Sequence, residues 1–201
     1  MNEPYLIAQK GERVVLRDKK LSDAADDYKW RLDKELTRLD AAPPLKLSYR
    51  EYMLFYREEI DYPSPGRRRF GIDTVDGKHI GNCMYYDIDI RSGQAEMGIM
   101  LGDRDYWSKG YGSDAVRTLL DYIFNRTSLS RVYLHTLGWN IRAHKSFQKA
   151  GFVPVKYVRR DGYNFLHMEI LKEWWQKPKS KENGKSQQAS EPTQPSPKAR
   201  S

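Results

Sequence analysis

Residues 107–115 read Trp-Ser-Lys-Gly-Tyr-Gly-Ser-Asp-Ala and are the most informative stretch of this 201-residue chain. They follow an apolar segment at 95–101 that predicts a strand, and they open a segment whose apolar residues recur at helical spacing. Successive backbone N–H groups can wrap a pyrophosphate there, because Gly110 and Gly112 carry no side chain. The helix dipole and the charge of Lys109 would strengthen the attraction. A tight turn that only leads into a helix is the alternative interpretation.

The same stretch also satisfies the dinucleotide-binding pattern Gly-x-Gly-x-x-Ala at residues 110–115. Two features argue against NAD. The pattern follows an antiparallel meander rather than the first strand of a βαβ unit. The next strand ends in His-Thr-Leu-Gly at 135–138, without the carboxylate that holds a ribose. NAD is therefore not the expected cofactor.

The remaining pattern predicts an α/β domain built on a mixed sheet. One helix is expected to start at Ser22 or Asp23 and to end near Asp33, and a second follows the capping-box pair Ser48 and Glu51. Further helices are expected at 113–125 and 142–150, and strands at 12–17, 69–75, 78–90, 95–101, 131–136, 152–158 and 163–171. The sequence shows no internal repeat.

Two motifs carry a resemblance to a known family. Residues 110–112, Gly-Tyr-Gly after a strand, resemble the acetyl-CoA pyrophosphate loop of the GNAT N-acetyltransferase superfamily. Residues 140–152, Asn-Ile-Arg-Ala-His-Lys-Ser-Phe-Gln-Lys-Ala-Gly-Phe, resemble its second signature, Asn-x-x-Ala-x-x-x-Tyr-x-Lys-x-Gly-Phe. Residues 30–38 and 70–81 look like the branch that contains the ribosomal-protein alanine acetyltransferases. The resemblance covers about residues 10–175.

The resemblance implies a mixed, mostly antiparallel sheet with flanking helices and a splayed strand pair that holds acetyl-CoA. The pantetheine arm would lie along the strand before the loop, and the mouth of the site would open where this strand parts from 131–136. The cofactor-binding residues that the resemblance implies are Ile99, Met100, Leu101, Trp107, Ser108, Lys109, Gly110, Tyr111, Gly112, Ser113, Asn140 and Phe147.

The sequence departs from the family pattern at two of these positions. Trp107 stands where the loop usually has Arg or Gln, and an aromatic residue is tolerated in this branch. Phe147 stands where many members have the Tyr thought to protonate the departing thiolate. Because Phe has no proton to give, water or another residue would have to serve.

The candidate catalytic residues are Glu96 and His135. Members of the family often place a catalytic Glu in the strand that holds Glu96, although a solvated or ion-paired strand carboxylate is the alternative. His135 is the second candidate for the base, since histidine titrates near neutrality, and a packed histidine is the alternative. Trp30, Tyr85 and Tyr86 could line an acceptor pocket, or could serve only in packing.

An N-acetyltransferase is the leading interpretation, with a protein N-terminus, a polyamine or a small amine as acceptor. An acyl-CoA-binding regulatory module without turnover is the alternative, because Phe147 removes one catalytic group. A nucleic-acid-binding protein is a third reading that rests only on the net charge of +8.

Composition limits the partners and the location. Residues 177–201 hold six basic and two acidic residues, so half of the net charge lies in a tail that we predict to be disordered, after a domain at 1–176. Nucleic acid is therefore not expected as a partner, no segment is apolar enough for a membrane, and a homodimer is compatible with the sequence. Cys83 is the single cysteine, which excludes an internal disulfide and predicts a reducing cytoplasm and no metal.

Overall fold

A computed structural model describes residues 7–43 and 45–176, and the tail predicted at 177–201 lies outside these ranges. Its strands are β1 Ile7–Lys10, β2 Val14–Asp18, β3 Arg67–Thr74, β4 His79–Asp89, β5 Gln94–Leu101, β6 Arg131–Leu137, β7 Val153–Arg160 and β8 Tyr163–Leu171. They form one sheet in the order β1-β2-β3-β4-β5-β6-β8-β7. Among the described strands β5 and β6 pair in parallel, and all other pairs are antiparallel. The mixed, mostly antiparallel sheet is confirmed.

Helices cover both faces of this sheet. They are α1 Ala24–Leu32, α2 Lys34–Leu39, α3 Tyr49–Asp61, α4 Tyr111–Arg126, α5 Ile141–Lys149 and α6 Lys172–Gln176. On one face, Leu119 of α4 and Phe147 of α5 join the apolar core with inward strand residues such as Met97. On the other face, Trp30 of α1 packs against His79 of β4, with ring centroids 5.1 Å apart.

The strands and helices predicted from the pattern are present, and the predicted capping box starts α3. The backbone N–H of Glu51 donates to Ser48 Oγ at 3.3 Å, and the N–H of Ser48 donates to Glu51 Oε2 at 2.8 Å. Three short elements, β1, α2 and α6, were not predicted. They have four to six residues each, which is too few for a clear period.

The sheet opens between its two parallel strands. β5 pairs with β6 only from Gln94 to Glu96, against residues 131–133. Beyond Glu96, β5 stays bonded to β4 and β6 stays bonded to β8, but no pairing joins the two described strands to each other. This is the splayed strand pair that the family resemblance implies.

A buried arginine ties the start of α1 to the sheet. Arg17 of β2 is 2% exposed, and its guanidinium lies 2.7 Å from Asp23 and 2.7 Å from Asp73 of β3. Burial would lower the pKa of Arg17, but its bonds to Asp23 and Asp73 outweigh that cost and raise it. An arginine buried between two carboxylates therefore keeps its charge.

A second set of buried polar groups surrounds Asp27 of α1. Asp27 accepts bonds from Lys19 at 2.7 Å, Asn82 at 2.6 Å and Tyr56 at 2.8 Å, and the Nε2 of His79 lies 3.3 Å away. Together the two sets, centred on Arg17 and Asp27, form what we call the buried charge network. It joins α1 and α3 to three neighbouring strands.

The helices of the described part of the chain are all too short or too polar to span a membrane.

Candidate active site

A cleft of about 360 Å³ lies where the sheet opens, between β5, α4 and α5. We call it the main cleft. The structure brings together most of the residues predicted to bind the cofactor, and those that line the cleft are Ile99, Met100, Leu101, Trp107, Ser108, Gly110, Gly112, Ser113, Asn140 and Phe147. Two predicted residues are not part of its wall. Lys109 is exposed outside it, and Tyr111 packs edge-on against Tyr106 at 4.9 Å.

The loop into α4 presents backbone donors to this cleft. Gly110 precedes the helix with φ +88°, a conformation that favours glycine. The N–H groups of the first turn of α4 have no partner within the helix, because the first such bond is from Asp114 to the carbonyl of Gly110, at 3.0 Å. Gly112 faces the cleft, so these donors and the positive end of the helix dipole meet whatever binds there.

Three basic residues of α5 complete this wall, and the sequence reasoning did not single them out. Arg142, Lys145 and Lys149 line the cleft on one side of the helix. Their spacing of three and four residues is the signal that could have found them. The Arg142 guanidinium stacks over the ring of Trp107 at 3.7 Å, which holds it at the mouth of the cleft. The main cleft therefore suits an anionic group.

Asn140 and Phe147 hold α5 in place. The side chain of Asn140 accepts a bond from the backbone N–H of Ala143 at 3.2 Å and so caps the first turn of the helix. Phe147 is 9% exposed and packs against Phe152, with ring centroids 5.9 Å apart. It presents only carbon to the cleft.

A second pocket, of about 280 Å³, lies on the opposite face of the sheet. It shares Ile99, Met100 and Asp40 with the main cleft, so the two cavities meet at β5 where the strand has lost its partner. Its other lining residues come from five elements of the chain and are Asp27, Arg31, Tyr52, Phe55, Tyr56, Glu59, Arg69, Asn82, Cys83, Met84 and Gly98.

The structure does not bring the three predicted acceptor residues into this pocket. Trp30 is 7% exposed and lies against the backbone of Gly102, where even a methyl group would collide with its ring. Tyr85 points to the core face, where it meets Tyr122 at 6.4 Å. Tyr86 shares the face of the second pocket but lies farther along the strand, beside Glu96.

Glu96 and His135 form a bonded pair across the parting strands. Glu96 is 4% exposed, and its Oε1 lies 2.9 Å from Nδ1 of His135. Since a carboxylate can only accept, the Nδ1 of His135 donates. Tyr86 also hydrogen-bonds Glu96, and burial together with the charge of Glu96 raises the pKa of its hydroxyl. The two candidates for the base are thus hydrogen-bonded to each other at the point where the pairing of β5 with β6 ends.

The arrangement provides an anion-binding cleft on one face, a pocket on the other, and a carboxylate–histidine pair beside their junction. Among the residues described, no group of three or more His, Cys, Asp or Glu side chains could hold a metal ion. Such a site suits the transfer of a group from a phosphorylated donor to an acceptor on the far side of the sheet, with the buried carboxylate of Glu96 nearby.

Comparison with known proteins agrees with this geometry. Residues 13–153 match the family model described as acetyltransferase (GNAT) domain. A protein of Bacillus licheniformis, named uncharacterized N-acetyltransferase p20, is 31% identical over 148 residues, which cover 71% of this chain and 83% of that protein.

Two solved structures share the fold at lower identity. A spermidine N-acetyltransferase from Vibrio cholerae, in complex with CoA and spermine, is 21% identical with a TM-score of 0.71, over 81% of this chain and 97% of that chain. The aminoglycoside acetyltransferase AAC(6')-Ib, in complex with coenzyme A, is 18% identical with a TM-score of 0.70, over 83% and 99%. The family model and the relative together show that this chain belongs to the GNAT acetyltransferase family.

Proposed function

We propose that the chain is an acetyl-CoA-dependent N-acetyltransferase that moves the acetyl group from the thioester to a primary amine by direct attack. The observation that carries this proposal is the meeting of the main cleft and the second pocket at Ile99 and Met100. A thioester in the main cleft and an amine in the second pocket would meet there. No covalent intermediate on the enzyme is needed.

Acetyl-CoA would occupy the main cleft with its pyrophosphate at the start of α4. The free N–H groups of the first turn, the helix dipole, and Arg142, Lys145 and Lys149 of α5 all favour an anion at that place. The pantetheine arm would lie along Ile99–Leu101, whose edge toward β6 is open. A backbone N–H of this open edge would stabilise the developing oxyanion.

Glu96 would be the general base. A typical amine is protonated at pH 7 and must lose a proton before it attacks. Gly98 lines the second pocket, and Glu96 lies two residues away on the same side of β5, about 7 Å along the strand. Because Glu96 is buried at this distance, it would act through a bound water. A thiolate leaves readily, so the lack of a hydroxyl at Phe147 does not prevent turnover.

The second pocket would hold the acceptor amine. The rings of Tyr52, Phe55 and Tyr56 and the carboxylates of Asp40 and Glu59 line it, and both kinds of group attract an ammonium ion. Arginines share the same wall: Arg31 lies 3.6 Å from Asp40, and Arg69 is paired with Glu59. The candidates remain a protein N-terminus, as in the ribosomal-protein alanine branch, a polyamine, and a small amine.

An amine panel tests the proposal directly. The panel contains spermidine, an aminoglycoside and a peptide with N-terminal alanine, and the readout is the CoA thiol that each releases from acetyl-CoA. We expect release with at least one amine, acetylated product by mass spectrometry, and neither with the Gly112→Asp variant. Tight binding of acetyl-CoA without release on a broad panel would instead favour a regulatory binding module. Binding of NAD but not acetyl-CoA would overturn both.

A further inference from the structure

A third pocket, of about 540 Å³, continues the second pocket away from the main cleft. The two pockets share Tyr56 and Glu59 of α3 and Arg69 of β3. The second pocket in turn meets the main cleft at Ile99 and Met100. The second and third pockets therefore form one elongated depression, which we call the acceptor trough, and its inner end lies at the main cleft.

The floor of the acceptor trough crosses three neighbouring strands in a straight line. Gly98 of β5 stands opposite Met84 of β4, and Met84 stands opposite Arg69 of β3. All three line the second pocket, as expected for residues that pair across a ladder and so share one face of the sheet. Two strand spacings place the backbone of Arg69 about 10 Å from that of Gly98. An acceptor whose amine lies at Ile99 must therefore be long to reach the outer end of the trough.

The outer end of the acceptor trough is positively charged. Arg67, Arg68 and Arg69 line the third pocket, and their side chains are between 32% and 44% exposed. Arg68 is paired with Asp18. Arg67 and Arg69 both pair with Glu59, so that two guanidinium groups face one carboxylate among the described residues. The positive charge left over there, with the several N–H donors of each guanidinium, suits an acidic group.

The inner end of the trough offers a carboxylate instead. Asp40 lines both the main cleft and the second pocket, so it lies beside the junction at which an amine would be acetylated. It is 3.6 Å from Arg31 and its side chain is exposed, which leaves it accessible to an ammonium group. A long acceptor thus meets a carboxylate at its amine and guanidinium groups at its far end.

We propose that the acceptor is the N-terminus of an extended polypeptide that carries an acidic side chain at about its fourth residue. This rests on the proposed function, which leaves several classes of amine open. The amine would lie beside Asp40 and Ile99, the chain would follow the trough across β4, and the acidic side chain would bond Arg67 and Arg69. An extended chain advances about 3.3 Å per residue, so its fourth residue lies about 10 Å from its first.

The same charge pattern disfavours the other classes of amine. Spermidine and aminoglycosides carry several ammonium groups, so a molecule of this kind that filled the trough would bring positive charge against the arginines. A free amino acid has its carboxylate beside its own amine and does not reach them. A small amine with a single charge would leave the third pocket empty.

Three peptides of equal length test this inference on the wild-type enzyme. All begin with alanine, and they differ only at their fourth and fifth residues, which are both glutamate, both glutamine or both lysine. The readout is kcat/KM from the CoA thiol released, with spermidine and an aminoglycoside assayed alongside. We expect glutamate to exceed glutamine by roughly 10-fold, as for a hydrogen bond between charged groups, and glutamine to exceed lysine.

Two variants of Arg67 and a matched control test the position of the acidic side chain. In Arg67→Gln, Glu59 balances Arg69 alone, so the advantage of the glutamate peptide should largely disappear through a higher KM. Arg67→Glu should favour the lysine peptide. Arg57→Glu makes the same change of charge on α3, at an exposed residue that lines neither pocket, and should keep the wild-type order. Melting temperatures show whether each variant is folded, and Arg67→Gln decides the matter if Arg67→Glu is not.

The outcomes keep this inference apart from the proposed function. A wild-type enzyme that acetylates no amine contradicts the proposed function. An enzyme that acetylates spermidine or an aminoglycoside but none of the peptides supports the proposed function and contradicts a polypeptide acceptor. Equal kcat/KM for the three peptides, or a folded Arg67→Gln variant that keeps the full preference for glutamate, contradicts the role of the arginines.

Discussion

Glu96 is almost fully buried and still bonds a histidine and a tyrosine, which distinguishes it from an ordinary strand carboxylate. Replacing it by Gln keeps the shape of the side chain but removes the proton acceptor. We expect Glu96→Gln to lower kcat/KM by about 10²- to 10⁴-fold with acetyl-CoA affinity retained. A pH profile of kcat/KM between 6 and 9 is the measurement, and Glu12→Gln at an exposed position is the control. Full activity of Glu96→Gln across that range would rule Glu96 out as the base.

Phe147 stands where many members of the family have the tyrosine that is thought to protonate the departing thiolate. It lines the main cleft, where the family resemblance implies a hydroxyl at the para position of this ring. We expect Phe147→Tyr to bind acetyl-CoA as the wild type does and to turn over at an equal or modestly higher rate. Calorimetry and steady-state kinetics test the two halves of this expectation. A large fall in turnover with intact binding would show that the apolar wall itself is required.

Residues that are close in sequence were the predictable part of the site. The loop at 107–113 and the motif at 140–152 place most of their candidate residues in the main cleft. The second pocket draws on α1, α3 and three strands, and its residues carry no pattern that a single sequence could reveal. Trp30 is an example: the sequence does not distinguish an aromatic residue that lines a pocket from one that is buried against the backbone, as Trp30 is against Gly102.

Among the elements, the start of α4 is the one that we propose to hold the pyrophosphate of acetyl-CoA. A Cβ at Gly112 would meet Leu101 at 3.4 Å and Ser146 at 3.7 Å, which are ordinary contacts, so the fold tolerates a side chain there. A carboxylate at this position would fill the anion site with negative charge. We expect Gly112→Asp to abolish acetyl-CoA binding in calorimetry while its melting temperature stays near the wild-type value. Gly66→Asp, at an exposed and unstrained position, should change neither.

Helix α3 depends on the residue that precedes it, the N-cap Ser48. The capping box of Ser48 and Glu51 satisfies two backbone N–H groups at an exposed helix end. We expect Ser48→Ala to lower the free energy of unfolding by about 0.5–2 kcal/mol, as for other N-caps. Chemical denaturation measures this, with Ser64→Ala in the following loop as the control. Equal losses in both variants would mean that the cap contributes nothing of its own.

The helices and strands that could be predicted are, like the predictable part of the site, those whose signal lies within one stretch of sequence. Long periodic segments such as α4 and marked starts such as Ser48 were predictable, because the signal lies within the element. α2 was missed although Asp33 caps it by accepting from Glu35 and Leu36, since a helix of six residues shows less than two turns of pattern. β1 was missed because it is a short edge strand whose residues are only partly buried.

At the scale of the whole molecule, the buried charge network gives the fold a pH dependence. Burial raises the pKa of Asp27, but the bonds and charges of His79 and Lys19 outweigh it and hold the pKa below its usual range. Burial lowers the pKa of His79, but its bonds to Asp27 and Asp73 outweigh it and raise the pKa. The stability from Asp27 is therefore lost as pH falls below about 3.9, and that from His79 is lost as pH rises above about 6.5.

We therefore expect the network to stabilise the protein most between about pH 4 and 6.5. The melting temperature of the wild type should fall more between pH 6.5 and 9 than that of His79→Gln, in which no histidine loses its proton at this site. Comparing the change of melting temperature with pH in the two proteins separates the contribution of His79 from that of the other histidines. Parallel slopes would contradict its role.

Removing one charge from the buried charge network should lower the free energy of unfolding far more than a substitution at the surface does. Asp27→Asn leaves Lys19, which is 8% exposed in its side chain, without its closest carboxylate. Breaking a buried ion pair in this way typically costs about 3–5 kcal/mol. Urea denaturation measures the loss, and Asp26→Asn, one residue away and exposed, should stay within about 0.5 kcal/mol of the wild type.

The open edge of β5 also leaves backbone groups in the middle of the sheet without a strand partner until a ligand binds. The amides of 98–101 that face β6 have no strand to bond in the described chain, so they should exchange with deuterated water much faster than the amides that β5 gives to β4. A bound pantetheine arm would occupy that edge, slow the exchange, and raise the unfolding free energy by about 2.7 kcal/mol at a ligand concentration of 100 Kd. The cofactor would then occupy the place of a missing strand between β5 and β6.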